Sequence, residues 1–73
     1  PLDLPTLFGR DAPRTLEIGF GNGDVLATLA TAEPRHDFIG IEVYRPGVGR
    51  LLSRVDAQGM SNVRASDLDA VTL

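Results

Sequence analysis

The sequence predicts an α/β fold, the first half (β-α-β-α-β) of a doubly wound parallel sheet, on three observations. Short β-prone runs alternate with two helical stripes, the connections between them are short, and a glycine-rich turn joins the first run to the first stripe. Alternation of this kind requires parallel strands and right-handed crossovers, because each helix must return the chain to the same end of the sheet.

The elements follow in order. Residues 1–13 hold Pro1, Pro5 and Pro13 with one glycine. Proline fixes φ and removes a backbone donor, so this stretch reads as an irregular lead-in, with Leu4, Leu7 and Phe8 as candidates for packing on the body. Residues 14–19 are a short β-prone run bounded by Pro13 and Gly19. Residues 20–23, F-G-N-G, are turn chemistry. From 24 to about 33, Val25, Leu26, Leu29 and Ala30 form one apolar face at helical spacing; Asn22 or Asp24 is the candidate cap and Pro34 the stop. Residues 36–42 read as a second strand. A second helix spans roughly 46 to 58, with Val48, Leu51, Leu52 and Val55 at i, i+3, i+4 and i+7. Pro46 suits its first turn and Gly59 the position just past its end. Residues 62–66 complete the pattern as a third strand.

The expected organisation is therefore a lead-in at 1–13 and, at 14–73, part of a larger α/β domain truncated on its C-terminal side. Seventy-three residues are about half of an ordinary domain of ~100–150. Small folds lean on disulfides or metals, and this chain has no cysteine. That also excludes thiolate metal sites. The lone His36, between Arg35 and Asp37, is read as a surface loop residue. Seven arginines against ten acids give a net charge of −3, which argues against coating nucleic acid by charge alone. No apolar run approaches the ~18 residues of a membrane span.

The chemistry-bearing segment is L-E-I-G-F-G-N-G at 16–23. Gly19, Gly21 and Gly23 lie between a strand and a helix, at the carboxyl edge where open α/β sheets bind ligands. The dinucleotide fingerprint G-x-G-x-x-G fails, because its third glycine would fall on Asp24 or Leu26. A Walker loop fails for want of a lysine. What remains is E-x-G-x-G-x-G, with Glu17 near the strand end. A carboxylate there suits a ligand bearing positive charge. Glu42 ends the second strand, 25 residues after Glu17, where such folds hold a ribose through its hydroxyls. Tyr44 and Arg45, just past it, either flank a nucleoside or pack in the loop. Asp67 and Asp69 follow the third strand on the same rim; one of them is placed to meet an adenine amino group, or Asp69 is a helix cap. Arg50 and Arg54 read as a solvated helix face.

These segments, with F-I-G-I-E-V-Y-R-P-G-V-G at 38–49, S-N-V-R at 61–64 and D-A-V at 69–71, resemble the bacterial tRNA (guanine-N7) methyltransferases over nearly the whole chain. The E-x-G-x-G-x-G element is shared by many class I methyltransferases; the I-G-I-E-V-x-x-P-G-V-G block is much more specific to this family. The resemblance implies a Rossmann-like cofactor half of the class I methyltransferase type, in the cytoplasm, with S-adenosyl-L-methionine as methyl donor and tRNA as acceptor. By position it implies cofactor binding by Glu17, Gly19, Gly21 and Gly23, ribose binding by Glu42, and an adenine contact at Asp69 rather than Asp67. It implies no catalytic residue within these 73 positions, since the family's P-D-P-W-type segment and its tRNA-reading segments lie downstream. The piece alone is then expected to be inactive. The alternatives are a non-catalytic nucleotide-binding module and a class I methyltransferase with another acceptor.

Overall fold

The computed structural model describes residues 8–67. In chain order they form β1 (Arg14–Ile18), α1 (Asp24–Ala32), β2 (Asp37–Ile41), α2 (Arg45–Ala57) and β3 (Val63–Ser66). The strands pair in the order β1-β2-β3, all parallel, with Leu16 opposite Ile39 and Phe38 opposite Val63. β2, flanked on both sides, is buried along its whole length. A strand in that position needs no polar alternation, which is why it reads F-I-G-I. This is the first half of a Rossmann-like sheet. Leu4, Leu7 and Asp69 lie outside the described residues.

Both helices cover one face of the sheet. Leu26, Ala27 and Ala30 of α1 and Val48 and Leu51 of α2 share one core with Phe20, Phe38 and Val63. Two right-handed crossovers in the same direction place both helices on that side. On the outer strand β1, Leu16 and Ile18 remain 53% and 71% exposed.

Four expectations need correction. The buried face of α1 is Leu26, Ala27 and Ala30, while Val25 and Leu29 are exposed. Apolar residues occupy most of this helix's circumference, so periodicity does not choose between stripes; the small Ala27 and Ala30 let the helix settle closely on the sheet. Neither Asn22 nor Asp24 caps α1. The cap position is Gly23, at φ +81° with no side-chain cap bond, because the turn requires a left-handed residue there. His36 is half-buried, its Nε2 within 2.7 Å of Thr15 Oγ1 and its ring 4.8 Å from that of Phe38. In α2, Leu52 falls outside the core while Val55 packs at its margin.

Two polar anchors fix the end of the sheet remote from the glycine turn. Arg10 donates to the fully buried Asp37 carboxylate through Nη2 at 2.5 Å and Nε at 3.1 Å, and to the Pro34 carbonyl at 3.0 Å. The amide of Asp37 in turn donates to the Pro13 carbonyl at 2.8 Å, so residues 10–13 are tied to β2 through both backbone and side chain. Phe8, two residues before Arg10, lies with its ring 5.1 Å from the Arg64 guanidinium carbon. The second anchor is the buried Asn62. Its Nδ2 donates to the carbonyls of Ala30, Glu33 and His36 at 2.9, 3.1 and 2.9 Å. It thereby satisfies the Ala30 carbonyl, which Pro34 leaves without a helical donor.

Candidate functional site

β1 and β2 end at the rim where residues 19–23 turn into α1. The Gly19 amide donates to the Ile41 carbonyl at 2.7 Å, carrying the β1–β2 ladder past the strand end, and the Gly23 amide donates to Phe20 at 3.0 Å to close the turn. Gly19, Gly21 and Gly23 stand at φ +82°, +65° and +81°, a region that strains any residue with a Cβ. A Cβ on Gly19 or Gly21 would find no neighbour within 4 Å. The loop therefore presents bare backbone on its open side. Among the described residues no side chain caps the start of α1, and such a helix end suits an anionic group.

Glu42 reaches this loop from the end of β2. Its Oε1 accepts the Gly21 amide at 2.6 Å, and its Oε2 accepts those of Val43 and Tyr44 at 2.9 and 3.1 Å. These backbone donors hold the carboxyl below its ordinary pKa, the Gly21 bond contributing most. A carboxylate that accepts several N–H bonds is favoured in its charged form. Three donors occupy three of roughly four lone-pair sites on the carboxylate, leaving one on Oε1.

Glu17 stands opposite Gly40 in the β1–β2 register, on the helix-bearing face, and is half-buried with no hydrogen bond or ion pair among the described residues. Asp67 lies at the same rim, where the Ser66 carbonyl accepts the Glu42 amide at 3.2 Å. Its carboxylate pairs with Arg45 at 3.4 Å. Tyr44 is 55% exposed beside them. Gly19, Gly21, Gly23 and Glu42 thus meet at one rim, with Glu17 one residue inside it; Asp69 is outside the described residues. Arg54 bridges to Asp24 at 3.6 Å, so that helix face is partly paired rather than simply solvated. Among the described residues no group of three His, Cys, Asp or Glu is placed to hold a metal ion, and no helix is long and apolar enough to cross a membrane.

Sequence reasoning missed two relations here. One is the anchoring of Glu42 on backbone amides. The other is Gly47, buried in the first turn of α2, where its Cα lies against the Gly21 carbonyl. The signal for the second was present: two glycines in a 13-residue helix are costly for helix formation and call for a packing reason.

Residues 11–73 match the family described as "Putative methyltransferase". The chain belongs to this methyltransferase family. Among curated proteins it is 59% identical over 71 residues to the tRNA (guanine-N(7)-)-methyltransferase of Pseudomonas syringae pv. syringae, covering 97% of this chain and 29% of that protein. It is 58% identical over 71 residues to the Pseudomonas putida protein of the same name, covering 97% of this chain and 30% of that one. The chain thus spans about 30% of the length of these relatives. Its fold is similar to that of PKMT2 from Rickettsia typhi in complex with AdoHcy, with TM-score 0.69, 22% identity and coverage of 96% of this chain and 16% of that one. It is also similar to a SAM-dependent methyltransferase from Aquifex aeolicus, with TM-score 0.65, 23% identity and coverage of 88% and 35%.

Proposed function

We propose that this chain is the S-adenosyl-L-methionine-binding part of a cytoplasmic tRNA (guanine-N7) methyltransferase. In this reading residues 1–13 are a lead-in and 14–73 the first portion of the cofactor domain. The observation that carries it is the convergence of a bare glycine backbone and the Glu42 carboxylate on one rim, in a chain 59% identical to a protein of that name.

The residues fit the donor chemically. Gly19 and Gly21 leave room on the open side of the loop for a ligand to approach the backbone. The α1 amides suit the donor's amino-acid carboxylate, and Glu17, without an ion pair among the described residues, suits its cationic end. Glu42 has one acceptor site left on Oε1 for a ribose hydroxyl, and a second hydroxyl would compete with a backbone donor. Asp69 is assigned to the adenine by its place in D-A-V. When bound, S-adenosyl-L-methionine supplies an electrophilic methyl group on a sulfonium. The chain's own contribution is to hold and orient that donor, since positioning of the two reactants accounts for much of the rate of such a transfer. The guanine-reading and tRNA-binding segments belong to the remainder of the protein, so the 73-residue piece alone does not methylate tRNA.

Calorimetric titration of the intact protein with S-adenosyl-L-methionine and with NAD tests the cofactor assignment. Preference for S-adenosyl-L-methionine is expected; preference for NAD would point to a nucleotide-binding module of another kind. Nucleoside analysis of tRNA after incubation with protein and donor tests the acceptor. 7-Methylguanosine is the expected product, and a different methylated nucleoside would keep the enzyme class while overturning the acceptor.

A further inference from the structure

The backbone of Gly21 is held at both its amide and its carbonyl before any ligand arrives. On one side its amide donates to Glu42 Oε1 at 2.6 Å. On the other, its carbonyl rests against Gly47, in the first turn of α2. A Cβ on Gly47 would fall well inside contact distance of the Gly21 oxygen, 2.8 Å from the Gly21 carbonyl carbon and 3.0 Å from Tyr44 Cδ2. That turn is itself stiff. Pro46 sets its start, and the amides of Gly47 and Val48 both donate to the Tyr44 carbonyl, at 3.0 and 3.3 Å. α2 touches the loop at a second point, where a Cβ on Gly23 would lie 2.8 Å from Leu51. One rigid helix therefore sets the position of Gly21 and Gly23 together.

We infer that Gly47 is a positioning residue for the cofactor: its missing side chain lets α2 seat the glycine loop at the depth at which the backbone of Gly21 meets the donor. The inference rests on the reading above that this loop binds S-adenosyl-L-methionine. Glycine is a poor helix residue, and this helix holds two, at 47 and 49. Gly49, two residues on in the same helix, has open space where a Cβ would go, so an alanine there adds helix propensity without touching the loop. An alanine at Gly47 adds the same propensity but drives the Gly21 carbonyl outward, toward the open side.

The two substitutions form a matched test in the intact protein. Titration with S-adenosyl-L-methionine, thermal melting without ligand, and kcat and the KM of each substrate with the other in excess are measured for wild type, Gly47→Ala and Gly49→Ala. Gly47→Ala is expected to raise the Kd and KM for S-adenosyl-L-methionine at least tenfold, with the KM for tRNA within twofold of wild type. Gly49→Ala is expected to leave the Kd within twofold. A folded Gly47→Ala protein with wild-type affinity, whatever its melting temperature, overturns the assignment. Should that variant not fold, Pro46→Ala loosens the same turn from an exposed position. A Kd raised about threefold is then expected, and an unchanged Kd overturns the inference. Absence of binding by the wild-type protein overturns the functional reading and this inference together, whereas wild-type binding that Gly47→Ala leaves intact overturns this inference alone.

Discussion

The carboxylate of Glu42 holds the amide of Gly21 at 2.6 Å, so the end of the second strand fixes the middle of the loop that follows the first. Strand pairing alone would not do this, because the β1–β2 ladder stops at Gly19. Glu42→Gln keeps the size of the side chain but replaces one acceptor oxygen with an NH2 group facing backbone donors. The variant is expected to bind S-adenosyl-L-methionine on the order of tenfold or more weakly, since charge-assisted hydrogen bonds are about twice as strong as neutral ones. Titration of the intact protein checks this. An affinity within twofold of wild type would remove Glu42 from both the loop and the site.

The same contacts give a pH dependence of defined sign. Backbone donation from Gly21, Tyr44 and Val43 lowers the Glu42 pKa in the folded state below its ordinary 4.5. The unfolded chain therefore takes up a proton at higher pH than the folded one, and acid favours unfolding. The stabilisation is complete above the ordinary value and is lost as pH falls through the folded one. Melting curves of wild type and Glu42→Gln are expected to differ by a constant amount at neutral pH and to converge below about pH 4.5. A gap that widened on acidification would contradict the sign.

The order of elements and the glycine turn were legible because both are local. Proline and glycine punctuate the chain, and the I-G-I-E run ends where the strand ends. The burial of α1 was not legible, since Val25 and Leu29 form as good an apolar stripe as Leu26 and Ala30. Only the sheet decides which one faces inward. Likewise nothing local in the sequence announces that Asn62 closes three carbonyls from 26 to 32 residues away, or that Gly47 answers to Gly21 across 26 positions. Such pairings are set by the crossovers, and an isolated polar residue or glycine carries no label for its distant partner.

Asn62 predicts a stability effect separable from binding. Asn62 is 5% exposed, and Asn62→Ala takes the side-chain donor from the buried Ala30 carbonyl, at a cost of about 1–3 kcal/mol. Asn62→Asp is expected to be worse, because it places an anion among three carbonyl oxygens. Denaturant melts of the intact protein check both. The affinity for S-adenosyl-L-methionine of the folded fraction should stay within twofold of wild type, as the anchor lies at the opposite end of the sheet.

Arg10 and Asp37 predict an asymmetry between the two halves of an ion pair. Arg10→Met strands a carboxylate whose side chain is fully buried, and unpaired buried charge is among the costlier defects in a fold. Arg10→Met combined with Asp37→Leu removes the charge altogether. The single substitution is expected to lower the melting temperature by several degrees, on the order of 5 °C or more, and the double one by less. A double variant less stable than the single would show that the pair stabilises beyond satisfying Asp37.

Glu17 supplies the counterpart to these structural residues. It makes no hydrogen bond or ion pair among the described residues, so nothing there is lost when its charge is removed, and Glu17→Gln is expected to melt within a degree or two of wild type. Its charge is free to act on a ligand. If it faces the cationic end of the donor, Glu17→Gln weakens S-adenosyl-L-methionine binding roughly fivefold to tenfold, a loss typical of one partly solvated charge contact. Added salt should narrow that difference, because screening reduces the wild-type attraction and has little effect on the neutral variant. Titrations of both proteins at low and high ionic strength read the two effects together. A difference in affinity that survives high salt unchanged would mean that Glu17 acts through hydrogen-bond geometry and not through its charge.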